Sequence, residues 1–195
     1  GNTSLAEAIM VYRDLLLASS LNARLHVLHV STKEAVDLIK QFKSKDNLIT
    51  SEVSPHHLYF SDEDIEDFNT NLKVGPPIRG KADRKKLIEG IKSGIIDCIA
   101  TDHAPHTWEE KSRAYTEVPA GLPLVQHAMQ TLLDFYHDGI LSLEHIVKKT
   151  SHNVAKRFQI KDRGYIREGY FADLVILDIN KPYKVSSENI LYKCG

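Results

Sequence analysis

The stretch "CIATDHAPH" (98–106) places one carboxylate, Asp102, and two imidazoles, His103 and His106, directly after an apolar run. Two other apolar runs end in the same manner. "RLHVLHV" (24–30) carries His29 near its end, and "LITSEV" (48–53) carries Glu52, with His56 and His57 just beyond. Such groups are costly to strip of water and are seldom buried without partners. Imidazole and carboxylate suit zinc, and a catalytic zinc site leaves one position open for water. Zinc lowers the pKa of that water toward 7 and polarises the carbonyl it attacks. A carboxylate beside the metal takes the water's proton and passes it to a leaving nitrogen. Asp102 is best placed for that role, and His106 for holding an anionic substrate.

Each of these residues also has a structural reading. His26 and His29 are three apart, so on a strand they point to opposite faces, and one of them packs against a helix. Glu52 could pair with a basic neighbour. His56 and His57 follow Pro55 and read as a polar loop. Asp102 could cap a helix, and "HAPH" could be a turn fixed by its proline.

The surrounding pattern supplies the elements that must hold these groups. Residues 4–22 have Ser4 as a cap and Leu5, Ile9, Tyr12 and Leu16 at helical spacing. A strand over 24–30 leads to a helix capped by Ser31 or Thr32, with Ala35, Leu38, Ile39 and Phe42 on one face. A second strand over 48–53 is followed by a long connection with one helical turn at 62–67. The amphipathic stretch 81–94 ends on Gly94, a natural C-cap. A third strand over 95–102 runs into a loop, 103–121, within which "TWEEKSRAYTEVP" (107–119) reads as a mobile substrate loop. Helices are expected over 122–139 and 142–158, and the tail alternates turns with short strands. Alternating strands and helices point to α/β architecture with parallel β/α units. Three units do not close an eight-stranded barrel of about 250 residues. A change of domain falls near 160.

Composition narrows the function classes. The 195 residues carry 25 Lys and Arg against 26 Asp and Glu. That balance gives no electrostatic case for a nucleic acid or an anionic membrane as partner. No apolar run has the length of a membrane span, and the first 20 residues lack signal-peptide features. Two cysteines, Cys98 and Cys194, make no disulfide framework and fit a cytoplasmic setting.

"ATDHAPHTWEEK" resembles the signature of dihydroorotases, in the amidohydrolase superfamily. "LHVLHVSTKEAV", "TSEVSPHHL", "LKVGPPIR" and "VPAGLP" are similar to that family's blocks, in the same order, and "GYIREGYFADLVILD" is similar to the superfamily's C-terminal segment. The resemblance implies the C-terminal part of a TIM-type (β/α)8 metal-dependent hydrolase barrel. Residues 1–160 would be its last three β/α units, and 161–195 part of a small β-rich domain. It implies His29 and Asp102 as zinc ligands, with Asp102 also the general acid and base. His106, Gly75, Ala120 and Gly121 would contact substrate, and Glu52, His56, His57 and His103 would stand behind the metal. At Gly75 the family usually has Asn. The family's His-x-His, its bridging lysine or aspartate and its fifth-strand histidine would all precede residue 1.

The implied reaction is the zinc-dependent, reversible closure of N-carbamoyl-L-aspartate to dihydroorotate in pyrimidine biosynthesis. The resemblance further implies a homo-oligomer, with aspartate transcarbamoylase as a candidate partner. The alternatives are a hydantoinase or allantoinase, for which Gly75 leaves room, and a non-catalytic dihydroorotase-like subunit that scaffolds aspartate transcarbamoylase.

Overall fold

The computed structural model describes residues 3–43 and 48–192. Helix α1 (Ser4–Ser20) is capped one residue earlier than expected, by Thr3, whose hydroxyl accepts from the Ala6 N–H at 3.2 Å. It buries Ala8, Val11, Leu15 and Ala18. The stripe Leu5, Ile9, Tyr12 and Leu16 is instead left 43–66% exposed. The helix carries two adjoining apolar stripes, and the one with small residues lies closest to helix α2 (Lys33–Phe42). Thr32 caps α2, and Ala35, Val36 and Ile39 are its fully buried positions.

Strands β1 (Leu25–Val27), β2 (Ile49–Val53) and β3 (Cys98–Ile99) form one parallel sheet in the order β1-β2-β3. The register pairs Leu25 with Ile49, His26 with Thr50, and Glu52 with Cys98. The expected strands 24–30 and 95–102 are longer than those formed. The backbone turns left-handed at His29 (φ 33°), yet the Val30 N–H still donates to Glu52 O at 2.9 Å. At the third strand, Asp97 N and Ala100 N reach Ser51 O and Val53 O, so pairing extends one residue beyond each end.

Helix α3 (Pro55–Tyr59) stands where a polar loop was expected: Pro55 opens it and Ser54 precedes it in extended backbone. Helix α4 (Lys81–Ser93) ends at Gly94 with φ 80°, as its C-cap requires. Helix α5 (Trp108–Lys111) is a single turn with a Thr107–Glu110 capping box. Helix α6 (Ala128–His137) starts six residues later than the expected 122, because 122–125 bond to the loop after β3. Helices α7 (Leu143–Val147) and α8 (Asn153–Arg157) are joined by a π-helical turn, Lys148–His152.

The main core lies between the sheet and its helices, around Leu15, Ile39, Leu58, Leu87, Ile91, Ile96 and Leu132. A smaller cluster of Val74, Ile78 and Leu122 lies under the loop after β3. Beyond 158 the described residues form turns and irregular chain, and the expected short strands are absent there. Their apolar side chains find no ladder or core, and Ile176 is 98% exposed. Cys98 is a buried free thiol, and Cys194 lies outside the described residues. Among the described residues no helix is long and apolar enough to cross a membrane.

Candidate active site

In parallel β/α folds the chain leaves each strand at one common edge, where the loops converge. His29 and Asp102 leave β1 and β3 at that edge, and both are half-buried. Both adopt left-handed backbone, φ 33° and 49°. A non-glycine residue in that region is uncommon and costs of order 1–3 kcal/mol, so it persists only where the surroundings fix it. Neither side chain hydrogen-bonds to a described residue. Their donor types, imidazole and carboxylate, fit a metal. Among the described residues, however, no group of three His, Cys, Asp or Glu is placed to hold one. The chain thus presents one imidazole and one carboxylate just beyond the ends of the two strands that flank β2.

Between them lie two buried histidines on α3. His56 is 1% exposed, and neither ring nitrogen has a partner. Burial, then the neighbouring rings of His57 and His29, lower its pKa to about 3. The His57 ring donates through Nε2 to Pro76 O at 3.0 Å and leaves Nδ1 unpaired. Burial lowers its pKa to about 4 despite that bond and the nearby Glu7 carboxylate. Both rings are therefore neutral at pH 7.

Glu52 has the basic neighbour that its structural reading allowed. It accepts from His26 Nε2 at 2.9 Å, and His26 Nδ1 is 2.8 Å from the Thr50 hydroxyl. His26, at the strand interior, also packs edge-on against Phe158. The pair fastens β1 to β2.

The loop after β3 gathers the four residues of the expected substrate contact. His106 Nε2 donates to Ala120 O at 3.2 Å, and its Nδ1 is 3.4 Å from Glu110. Gly121 N donates to Lys73 O at 3.0 Å, so that N–H is already engaged. A Cβ on Gly121 would sit 2.5 Å from Ala104 O and 3.0 Å from His106 Nε2, so glycine is required for the close approach. Gly75 adjoins Ala120, whose Cβ would be 3.9 Å from a Cβ built there. His103 accepts from Val125 N at 3.2 Å and pairs with Leu122, which steadies the loop. The segment 107–119, expected as a mobile loop, is pinned by buried Lys111, which donates to Lys73 O and Pro119 O. A cavity of about 280 Å³ beside it is lined by Phe60, Leu72, His106, Trp108 and Leu122. It does not include His29 or Asp102.

Two residues absent from the sequence reading hold this edge together. Glu7 of α1 accepts from Ser31 N (2.9 Å), Thr32 N (3.1 Å) and both hydroxyls, at the start of α2, where a carboxylate is favoured. Arg79 lies 3.5 Å from Glu7 and donates through Nε to Ser31 Oγ at 3.1 Å. The network fixes the segment that follows His29. Arg79 closes the quoted block "LKVGPPIR", which was a signal. Glu7 gave none.

Residues 3–192 match the model of the amidohydrolase family. A dihydroorotase of Fusobacterium nucleatum is 42% identical over 99% of this chain and 45% of its own length. One of Bacillus pumilus is 40% identical over the same shares. The chain spans about half the length of the curated relatives it matches. Among solved structures, an L-hydantoinase of Arthrobacter aurescens superposes with TM-score 0.88 at 32% identity, over 95% of this chain and 42% of that one. A dihydropyrimidinase of Brevibacillus agri gives 0.78 at 28% identity, over 86% and 38%. Parallel β/α units, left-handed metal-type donors at the strand ends and a match along nearly the whole described chain lead to one statement: this chain belongs to the amidohydrolase family.

Proposed function

We propose that the protein carrying this chain is a dihydroorotase, which interconverts N-carbamoyl-L-aspartate and dihydroorotate with zinc. The observation that carries the reading is the pair His29 and Asp102, both left-handed at the ends of parallel strands, in a chain about 40% identical to dihydroorotases. His29 and Asp102 would hold the metal together with ligands outside the described residues. Bound zinc activates a water and polarises the amide carbonyl. In the hydrolytic direction the ring C–N bond breaks as water adds. Asp102 accepts the proton from the water and returns it to the leaving nitrogen. His106 binds the substrate carboxylate, and the adjoining Ala120–Gly121 backbone contacts the substrate, with Gly75 beside them. Buried His56 and His57 stay neutral, so they add no positive charge that would repel a metal. In the intact protein, residues 161–195 would contribute to a second, small β-rich unit, whose strands do not form among the described residues of this chain.

A second reading, a hydantoinase or allantoinase, draws on the likeness to L-hydantoinase and on Gly75. A non-catalytic subunit partnering aspartate transcarbamoylase is disfavoured by the retained His29, Asp102 and His106. A homo-oligomer is our expectation for the catalytic reading. The test uses the intact natural polypeptide that contains this sequence. It is stripped with a chelator, reloaded with zinc, and assayed on dihydroorotate, hydantoin and allantoin. Zinc-restored turnover of dihydroorotate above the others supports the proposal. Preference for hydantoin or allantoin establishes the second reading, and no turnover of any of them the third.

A further inference from the structure

At the opposite edge of the sheet, where the strands begin, the chemistry reverses. Arg24 precedes β1, Thr50 lies early in β2, and Asp97 immediately precedes β3. These three border a cavity of about 320 Å³ that is also lined by Lys43, Lys148, Lys149, Lys156 and Arg157. Six cations therefore meet one carboxylate, on a chain whose formal net charge is −1.

That carboxylate is already in use. Asp97 accepts from Lys43 Nζ at 2.6 Å and from Ser51 N at 3.0 Å. None of the other cations has a carboxylate partner among the described residues: Arg24 and Lys149 lean on backbone carbonyls, and Lys156 and Arg157 lie over the rings of Tyr165 and Phe158 at 5.9 and 5.6 Å. Arg24 Nη2 donates to Arg157 O at 2.7 Å. Lys149, 2% exposed, reaches into the fold and donates to Ile96 O. Arg157 Nε is buried with no acceptor. Lys148 and Lys156 are exposed and make no ion pair among the described residues. Lys148 and Lys149 both come from the π-helical turn Lys148–His152. Such turns are rare, and many lie at functional sites. Carbonyl dipoles orient these cations without neutralising them, so the cavity keeps a strong positive potential.

We infer that this cavity binds a small anion bearing two or more phosphate groups, at a site separate from the candidate active site. The volume fits such a molecule and is at the lower end of small-ligand pockets. Two guanidinium groups supply the planar donors that phosphate oxygens take in pairs, and the lysines supply point charges. The cluster is a pocket on a near-neutral chain, whereas nucleic acid binding requires an extended basic stripe.

The experiment is titration calorimetry of the intact polypeptide with inorganic pyrophosphate, at low and at physiological ionic strength. A parallel titration uses adenosine triphosphate. The comparison protein carries Lys148→Glu and Lys156→Glu. Both side chains are exposed and make no ion pair among the described residues, and the only contact given up there is that of Lys156 with the Tyr165 ring at 5.9 Å, so its melting temperature stays within a few degrees of the parent's. Saturable one-site binding is expected, weakened at least about tenfold by the double substitution and falling steeply with salt. Equal affinity for the two ligands assigns recognition to the phosphates, and tighter binding of the nucleotide extends the site to the base and sugar. Absence of saturable binding overturns the inference. So does unchanged affinity in the double variant, which would mark an adventitious ion only.

Discussion

The two edges of the parallel sheet bury charge in opposite ways. At the edge where strands end, the groups are imidazoles and carboxylates, and several have no hydrogen-bond partner among the described residues: His56 at both nitrogens and His57 at Nδ1, and the side chains of His29 and Asp102. At the edge where strands begin, the groups are lysines and arginines, and three of the six, Arg24, Lys43 and Lys149, are bonded to carbonyls. Unpartnered donors beside left-handed backbone are costly and contribute nothing to stability, which points to chemistry. Carbonyl-bonded cations stabilise the turns that carry them. Loss of a residue at the first edge should therefore affect turnover more than stability, and loss of a carbonyl-bonded cation at the second edge stability more than turnover.

The largest expected effect is on turnover. Asp102→Asn in the intact polypeptide keeps a side chain of the same shape but removes the base and weakens metal binding. Turnover should fall by about 10²–10⁴-fold or more, with the melting temperature of the metal-free variant within a degree or two of the metal-free parent, because the carboxylate bonds to no described residue. Steady-state assay and thermal unfolding on the same preparation check both halves. A stable protein with near-normal turnover would break the comparison at its strongest point.

Gly121→Val should follow. Its Cβ would lie 2.5 Å from Ala104 O, at φ 150°, and crowd His106. A loss of about 1–3 kcal/mol is expected from the backbone conformation alone, read from the urea midpoint. Turnover should drop as well, since His106 must shift. A midpoint equal to the parent's would show that the loop relaxes freely and does not fix His106.

Lys149→Met tests the other edge. Burial, the largest cause, lowers the Lys149 pKa from 10.5 to about 8, so between those values the unfolded chain binds more protons than the folded one. Stability due to this group accordingly rises with pH from about 8 to 10.5. The substitution should flatten that rise and leave Ile96 O without its donor, at a cost of about 1–3 kcal/mol near neutral pH. Denaturant midpoints at pH 7.5 and 10 decide it. An unchanged slope with pH would mean that the ammonium is not desolvated as its burial implies.

These tests bear unequally on what the sequence alone allowed. His29 and Asp102 were legible because an apolar run that stops on an ionisable group is a local pattern, and parallel β/α order places all such stops on one edge. The grouping of His106 with Gly75, Ala120 and Gly121 followed from resemblance, because contacts between residues 75, 106 and 121 leave no periodic trace. Glu7 was invisible for a different reason. On α1 it reads as an ordinary charge on a solvated face, and its partners lie 24 and 25 residues away. Helix α3 was missed although Ser54 and Pro55 are start signals, since "SPHH" also reads as a loop. Apolar content misled at both ends of the described chain. Leu5, Ile9, Tyr12 and Leu16 have helical spacing, and 172–177 has strand composition, but apart from the edge-on contact of Tyr12 with Phe42 both stay largely exposed among the described residues. Periodicity shows that a stripe exists and not what lies against it.

The smallest expected effect sharpens the comparison at the substrate side. Gly75 has ordinary space around it, the nearest neighbour of a built Cβ being Ala120 Cβ at 3.9 Å, and its backbone is outside the left-handed region. Gly75→Asn should leave the urea midpoint within about 0.5 kcal/mol of the parent, as for a substitution that neither strains nor buries anything. The new amide would adjoin Ala120 and so the region assigned to the substrate carboxylate. The ratio of kcat/KM for dihydroorotate to that for hydantoin should rise by several-fold, through KM more than kcat, because the amide touches substrate and not the reacting atoms. A midpoint that holds while the ratio moves places Gly75 in substrate selection. A ratio that stays fixed with the protein intact would confine selection to His106, Ala120 and Gly121, and would make the glycine a change without consequence for recognition.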